Sequence, residues 1–282
     1  MKIGFNLLAA TGHVTEEHLP HFELLKQIGY DGVELPVFDG DPKHYGAIGK
    51  HLKNMGLDST IVTVMGEDTN PASPDAAIRD KAFDRLRWAI DNAAALGATV
   101  LCGPYHSPLG VFSGTNPTDT ELSHCADTLR KASAYGQTAG VHLSLEALNR
   151  FECYMLNTMA QASEMRRRVN HPNFSFMYDT FHANIEERDP VGAYKAFSSE
   201  ITHIHISEND RGIPGRGHTP LRATIAAARE AGYQGWLTVE AFGRALPALA
   251  AATRVWRDLF PDTDTLYRES YAVIRRHWDN AA

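Results

Sequence analysis

Four polar residues in the second half of the chain each follow a short, mostly apolar run, as groups at the ends of buried strands do. They are Glu146, Asp179, His205 and Glu240. The run at 141–145, just before Glu146, shows the pattern most clearly. In a parallel barrel every strand delivers the residue at its carboxyl end to the same mouth, where catalytic groups collect. The pattern therefore predicts that these four side chains meet.

Three carboxylates and one imidazole at a shared buried mouth favour a metal centre. Without a partner, acids this close repel each other and take up protons. A divalent cation removes that repulsion, and a ligand set that is mostly oxygen favours a hard to borderline ion. We expect Mn²⁺, with Co²⁺ or Mg²⁺ as alternatives, bound by Glu146, Asp179, His205 and Glu240.

Glu146 and Glu240 come from different sides of the predicted mouth, so they could act on opposite faces of a substrate. A cation that polarises a ketone acidifies the neighbouring C–H bond, and a carboxylate oxygen can remove that proton. If the other glutamate returns a proton to the opposite face, the product is the epimer. Glu152, His182 and Arg211 would supply hydrogen bonds to sugar hydroxyls and to the carbonyl oxygen.

Alternating strand and helix patterns surround these residues and favour an α/β fold, an eight-stranded parallel (β/α) TIM barrel. Eight runs are predicted as strands: 3–8, 33–36, 59–65, 100–102, 141–145, 174–178, 201–204 and 236–239. An open doubly wound sheet is the alternative, but no glycine-rich phosphate motif follows the first strand. Because no linker interrupts the pattern, we expect one barrel domain over 1–282, with a C-terminal helical extension.

The composition narrows the range of partners and compartments. A net charge of −7 over 282 residues argues against binding to nucleic acid or to an anionic membrane surface. No apolar stretch approaches the roughly 20 residues of a membrane span. Cys102, Cys125 and Cys153 form no paired pattern, which is typical of a reduced, cytoplasmic setting.

An ordered set of motifs resembles the ketose 3-epimerases, the family of D-tagatose, D-psicose and L-ribulose 3-epimerases with a xylose isomerase-like barrel. The motifs are EALNRFE at 146–152, DTFHANIEE at 179–187, SENDR at 207–211 with PGRG at 214–217, VEAF at 239–242 and VWRD at 255–258. The resemblance runs over nearly the whole chain and is densest from Glu146 onward. Each motif is moderately specific, and their order makes the set highly specific.

The resemblance implies a role for each matching residue. Glu146, Asp179, His205 and Glu240 correspond to metal ligands, and the two glutamates also to the acid/base pair that acts through a cis-enediolate. Glu152, His182 and Arg211 correspond to the residues that hold O1, O2 and O3 of the ketose. The implied substrate is a free ketose.

The chain departs from this family near the mouth. Family members often carry tryptophans after the first strand and in the loop after strand four, whereas 6–13 and 106–109 contain none here. At the far end of the sugar we expect Asn6, Leu8, Leu109 and Phe242 instead. Fewer rings predict weaker discrimination there, because one apolar contact is worth only about 1–3 kcal/mol.

This departure predicts broad use of ketopentoses and ketohexoses. L-ribulose, converted to L-xylulose, is the first choice, because a pentose lacks the sixth carbon and depends least on the missing rings. The pairs D-psicose/D-fructose and D-tagatose/D-sorbose follow.

Three other functions fit parts of the pattern. An aldose–ketose isomerase of the same fold uses the same enediolate but must move a proton between adjacent carbons. A barrel endonuclease needs several zinc ions, more metal-binding histidines and a basic surface, which the net charge of −7 argues against. A non-catalytic sugar-binding scaffold would not need both Glu146 and Glu240.

Several residues remain open at this stage. Glu34 is an acid within the second predicted strand, and a structural or supporting role is favoured over catalysis. His106 lies on a mouth loop with no spacing argument for or against function. The C-terminal segment is rich in aromatic residues, among them Trp256, Tyr271 and Trp278, so we expect a homodimer or homotetramer.

Overall fold

The computed structural model describes residues 1–280 and contains a closed barrel of eight parallel strands, as predicted. The strands are β1 (Lys2–Asn6), β2 (Gly32–Pro36), β3 (Asp58–Val62), β4 (Val100–Gly103), β5 (His142–Leu145), β6 (Phe174–Asp179), β7 (Ile201–Ile206) and β8 (Trp236–Val239). Each strand pairs with the next in sequence, and β1 pairs with β8 to close the barrel. All eight carboxyl ends therefore open at one mouth.

Helices connect the strands and cover the barrel. They are α1 (Leu19–Ile28), α2 (Pro42–Met55), α3 (Ala76–Leu96), α4 (Asp119–Ala139), α5 (Met159–Val169), α6 (Thr180–Glu186), α7 (Pro190–Phe197), α8 (Leu221–Glu230), α9 (Pro247–Thr253) and α10 (Thr263–Asp279). Local sequence sets their ends. Asp41 and Thr118 accept backbone N–H groups at the starts of α2 and α4, and Gly29 and Gly56 end α1 and α2 in the left-handed region.

Three details differ from the predicted elements, and one of them is the third strand, which was predicted to reach residue 65 but ends at Val62. The first predicted strand is too long, because Asn6 Oδ1 accepts the N–H of Leu8 at 2.9 Å and turns the chain into a short 3₁₀ helix, Leu7–Ala9. The connection between β6 and β7 contains two helices instead of one. Asp179 ends β6 and caps α6 directly, because its Oδ1 accepts the N–H groups of Phe181 and His182.

At the end of the barrel opposite the mouth, the interior is filled by Trp236, which is 7% exposed. Gly4 and Gly32 lie against its ring, where a Cβ would stand 3.2 Å and 2.6 Å from the indole. The ammonium of Lys2 lies 5.2 Å from the ring centroid. Glycines on β1 and β2 therefore provide the space that the largest side chain of β8 occupies.

The pairing of β6 with β7 is irregular at Thr202. Phe176 is opposite Ile201, whereas Met177 is opposite His203, so β7 carries one extra residue at this point. Such a bulge changes which residues of a strand point inward. Beyond it, His203 and His205 share one face of β7.

The C-terminal helix packs against the barrel more completely than the sequence suggested. Leu266, Tyr267 and Ile274 are fully buried, and the Tyr267 ring lies 4.4 Å from that of Phe5 on β1. Trp256, before α10, is 69% exposed. Among residues 1–280, no helix is long and apolar enough to cross a membrane.

Candidate active site

The barrel brings the four predicted metal ligands together at its mouth. Glu146 and Glu240 directly follow β5 and β8, Asp179 ends β6, and His205 lies one residue before the end of β7. All four are buried, and one ligand atom from each lies within 4.8 Å of the others. The strand register therefore produces the cluster that the spacing predicts.

Two polar atoms in this cluster point to a cation. His205 Nδ1 lies 3.2 Å from Glu240 Oε1 and 3.6 Å from Asp179 Oδ2. Both Nδ1 and Asp179 Oδ2 are buried without a hydrogen-bond partner among residues 1–280. Leaving a buried polar group unpaired costs about 1–3 kcal/mol. Three carboxylates and one free imidazole nitrogen fit a divalent cation, so the donor set is consistent with one.

The two glutamates of the cluster have opposite electrostatic environments. Burial, and then the charge of Glu240, raises the pKa of Glu146 well above its ordinary value. Burial alone would also raise the pKa of Glu240, but the positive charges of His205 and Arg211 lower it below the ordinary range. Carboxylates whose pKa values are pushed apart are a common feature of acid/base pairs.

Arg211 is held over the cluster by stacking and by charge. Its guanidinium lies 3.7 Å from the ring centroid of Phe181 and 4.8 Å from that of Phe242. Its Nη1 donates to Glu240 Oε2 at 2.6 Å and to Ser207 Oγ at 3.1 Å. The backbone of Arg211 is left-handed, with φ of 66°, and a buried non-glycine residue in that region is a strained position typical of functional sites.

His182 is placed as a neutral hydrogen-bond donor. The backbone N–H of Asn149 donates to His182 Nδ1 at 2.9 Å, so the ring proton belongs on Nε2. That Nε2 lies 3.5 Å from Glu146 Oε1 and 3.1 Å from Arg211 Nη2. Burial lowers the pKa of His182 to about 3, which keeps the ring uncharged.

A cavity of about 250 Å³ lies beside the cluster and contains two of the predicted substrate contacts, Leu109 and Glu152. Other lining residues include Phe151, Ile185 and Arg254. Glu152 Oε1 accepts a hydrogen bond from Asn149 Nδ2 at 2.9 Å. The lining beyond Glu152 therefore combines apolar side chains with the polar side chains of Thr253 and Arg254.

Asn6 does not lie where the sequence suggested. We expected it at the far end of the sugar, but it is fully buried and donates to Glu34 at 3.0 Å and to Glu240 at 3.2 Å. The hydrogen bond from the N–H of Leu8 orients the Asn6 amide toward Glu240. Phe242 and Leu8 belong to a small buried apolar group beside the mouth, and Phe242 reaches the site by stacking on Arg211.

Sequence reasoning missed Asn149 and Phe181, which lie within motifs but carry no charge to draw attention. The sequence did not decide whether His106 has a functional role. His106 is a fully buried residue of the β4–α4 loop, with Ser107 Oγ 2.9 Å from its Nδ1 and Cys153 Sγ 3.8 Å from its Nε2. Burial lowers the pKa of His106 to about 3. His106 is not among the four clustered ligands.

Comparison with known proteins connects this geometry to a family. The family model described as "Xylose isomerase-like TIM barrel" matches residues 22–277. The ketose 3-epimerase of Arthrobacter globiformis is 29% identical over 278 residues, covering 98% of this chain and 96% of that protein. The D-psicose 3-epimerase of Ruminiclostridium cellulolyticum is 30% identical over 222 residues, covering 78% and 76%. The chain belongs to the ketose 3-epimerase family.

A solved structure of the same family agrees over the whole barrel. The D-allulose 3-epimerase from Methylomonas sp., solved in complex with D-allulose, superposes with a TM-score of 0.92 at 26% identity. The match covers 98% of this chain and 97% of that one. As a member of the ketose 3-epimerase family, the chain is an isomerase that acts on sugars.

Proposed function

We propose that this ketose 3-epimerase family member catalyses metal-dependent epimerisation at C3 of free ketoses. The observation that carries the proposal is the pair Glu146 and Glu240. Both carboxylates are buried, and they reach one centre from β5 and β8, with two strands between them. That placement suits removal of a proton from one face of a carbon and its return to the other.

The cation would be held by Glu146, Asp179, His205 and Glu240, and we propose Mn²⁺, with Co²⁺ or Mg²⁺ as alternatives. When bound, the cation polarises the ketose carbonyl and stabilises the negative charge that develops on its oxygen. The two unpaired atoms, His205 Nδ1 and Asp179 Oδ2, are the internal support for this assignment.

The glutamates carry the proton. One carboxylate takes the C3 proton, and the electron pair left behind forms the C2–C3 double bond of a planar cis-enediolate. The other glutamate, in its protonated form, donates to the opposite face of C3 as the C2 carbonyl re-forms. A positioned acid or base of this kind contributes about two to four decades of rate.

His182, Arg211 and Glu152 would orient the sugar. The Nε2–H of His182 and the Nη2–H groups of Arg211 converge at 3.1 Å, which is donor against donor. A ketose oxygen that accepts from both would relieve this opposition. Glu152, 4.0 Å from Arg211 Nη2, offers an acceptor for a sugar hydroxyl.

For the substrate we propose L-ribulose, converted to L-xylulose, ahead of the D-psicose/D-fructose and D-tagatose/D-sorbose pairs. The apolar side chains of Leu109, Phe151 and Ile185 line the cavity beyond Glu152. These three side chains offer nothing to a hydroxyl on a sixth carbon, which would depend on Thr253 or Arg254 in the same lining. Leu109 and Phe242 are the proposed contacts beyond C3.

One assay tests the reaction and the ranking. The protein is incubated with Mn²⁺ and a panel of free ketoses, and the products are separated by chromatography. We expect 3-epimers, with the highest kcat/KM on L-ribulose. A hexose that leads by tenfold or more would overturn the ranking only. Aldose products would instead indicate an aldose–ketose isomerase, and unchanged sugars would contradict the proposed reaction.

We also propose a homo-oligomer, a dimer or a tetramer. Phe112, Phe151 and Trp256 are 49%, 71% and 69% exposed, more than large apolar side chains usually are. Light scattering at micromolar concentration should give a multiple of the 31.1 kDa chain mass. A monomer mass would contradict the expectation.

A further inference from the structure

Glu34, in the middle of β2, is a fully buried carboxylate surrounded by hydrogen-bond donors. Its Oε1 accepts from His205 Nε2 at 2.7 Å and from Asn6 Nδ2 at 3.0 Å. Its Oε2 accepts from Thr60 Oγ1 at 2.9 Å and from Cys102 Sγ at 3.1 Å. A charge this deep is tolerated only when it is paired and hydrogen-bonded. The surroundings of Glu34 meet that condition on both oxygens.

The two histidines of β7 both turn their Nε2 atoms toward Glu34. His205 Nε2 hydrogen-bonds to Oε1 at 2.7 Å, whereas His203 Nε2 lies 2.8 Å from Oε2 but makes no hydrogen bond among residues 1–280. Because an ionised carboxylate only accepts, a close Nε2 must carry the proton. With the proton on Nε2 held by Glu34, Nδ1, which faces Asp179 and Glu240, is the nitrogen of His205 that gives up its proton to a cation.

Asn6 extends the same support to a second candidate ligand. Its Oδ1 accepts the N–H of Leu8, which fixes the orientation of the amide. Its Nδ2 is therefore a donor, and it bridges Glu34 Oε1 at 3.0 Å and Glu240 Oε1 at 3.2 Å. One carboxylate outside the four-residue cluster thus contacts His205 directly and Glu240 through one side chain.

We propose that Glu34 is a positioning residue for the cation site. It holds His205 in the tautomer whose Nδ1 is free to bind a cation, and through Asn6 it fixes one oxygen of Glu240. Carboxylates behind ligating histidines generally act this way, and their loss costs about 10–100-fold in metal affinity. The inference rests on the proposed metal-dependent function, and Glu34 acts through other residues.

The same side chains could instead be ligands of a second cation, since Glu34, Cys102, His203 and His205 also form a compact group. The distances are too short for ligands of one ion, and His205 Nε2 already makes a hydrogen bond to Glu34. Two nitrogen or oxygen ligands on a tetrahedral zinc ion stand about 3.3 Å apart, whereas both histidine nitrogens lie within 2.8 Å of Glu34. The donors Thr60 and Asn6 occupy the remaining acceptor positions.

The test compares Glu34→Gln with Thr60→Val, which removes a donor to the same carboxylate without touching His205. Both full-length variants are titrated with Mn²⁺ by calorimetry, and their Co²⁺-loaded forms are compared by visible absorption. Glu34→Gln should weaken Mn²⁺ binding about 10–100-fold and change the Co²⁺ spectrum. Thr60→Val should change affinity by less than about threefold, although it lowers the unfolding temperature. If Glu34→Gln lowers only the unfolding temperature, Glu34 is merely structural and the proposal is wrong.

A second measurement needs no change at Glu34 and so does not depend on that variant folding. The unmodified protein, with ¹⁵N-labelled histidine and bound Zn²⁺, is studied by NMR, and the His205 signals are assigned by their loss in His205→Gln. A proton on Nε2 supports the proposal, and a bare Nε2 overturns it. Two bound cations per chain, the second lost in Cys102→Ser, would also overturn it. Because these measurements contain no sugar, they do not depend on the outcome of the epimerase assay. Failure of the Glu34 proposal would likewise leave the epimerase assay unaffected.

Discussion

At the scale of single residues, the proposed reaction depends on Glu146 and Glu240, which are also proposed cation ligands. Replacing either Glu146 or Glu240 by Gln keeps the side-chain size and one possible ligand oxygen but removes the basic carboxylate. We expect kcat to fall by about two to four decades in each variant. Steady-state assays on the preferred ketose would measure kcat. Mn²⁺ calorimetry would show how much of the fall in kcat reflects weaker cation binding.

The proton route gives an independent check on the same pair. A glutamate that donates to C3 exchanges its proton with solvent between turnovers, so reaction in deuterated water should place deuterium at C3 of the product. NMR of the product reads the label position directly. Absence of deuterium at C3 would contradict proton transfer by these carboxylates.

Charged residues at strand ends were the most predictable part of the site, because an acid after an apolar run is visible in sequence. The position of Asn6 was predicted wrongly. For Glu34 a supporting role was favoured, but its partners were not predicted. Both lie inside strands whose partners, Glu240 and His205, are far away along the chain, and their contacts depend on barrel closure. Sequence patterns report which face a residue occupies and not which distant side chain meets it.

At the scale of elements, the packing of β1, β2 and β8 depends on two glycines. Gly32→Ala places a Cβ 2.6 Å from the Trp236 ring and closer still to the backbone carbonyl of Asp58, which cannot move freely. Overpacking of this kind costs about 1–3 kcal/mol, occasionally more. Chemical denaturation should show that loss, while Gly12→Ala, with no atom within 4 Å of the added Cβ, should leave stability nearly unchanged.

The elements themselves were predictable where capping and alternation agree, as at Gly29 and Gly56. Helix α6 was missed because its seven residues are too few to show a period, and because its start is also the end of a strand. Asp179 serves both elements: Oδ1 caps the helix and Oδ2 faces the cluster. From the sequence, Asp179 was recognised as the acid at the end of a strand but not as the cap of a helix.

At the scale of the whole molecule, cation binding should stabilise the fold. Chelation leaves clustered acids without a counter-charge, and at free cation about 100 times Kd the stabilisation is about 2.7 kcal/mol. Thermal unfolding should therefore shift downward with chelator and recover with Mn²⁺ or Co²⁺ more than with Zn²⁺. His205→Gln should lose most of this response, and an unchanged unfolding temperature in the unmodified chain would argue against a resident cation.

The pH dependence of folding should include a contribution from His142 at the start of β5. Burial lowers its pKa below the ordinary 6.5, while its Nε2 lies 2.7 Å from Ser175 Oγ. The unfolded chain then binds this proton more readily, so the free energy of unfolding falls as pH drops through 6.5. Denaturant melts at pH 7 and 5.5 should show a smaller loss in His142→Gln than in His51→Gln, whose side chain is 38% exposed.

The position of Trp236 has an optical consequence. This indole lies inside the barrel at the end opposite the mouth, beside the Lys2 ammonium, while Trp256 is 69% exposed near the mouth end. Trp256 should emit at longer wavelength and be quenched readily by acrylamide, whereas Trp236 should be shielded from it. Replacing Trp88, Trp256 and Trp278 by Phe would leave Trp236 as the remaining indole. Trp236 fluorescence should then report the loss of β1–β8 pairing during unfolding.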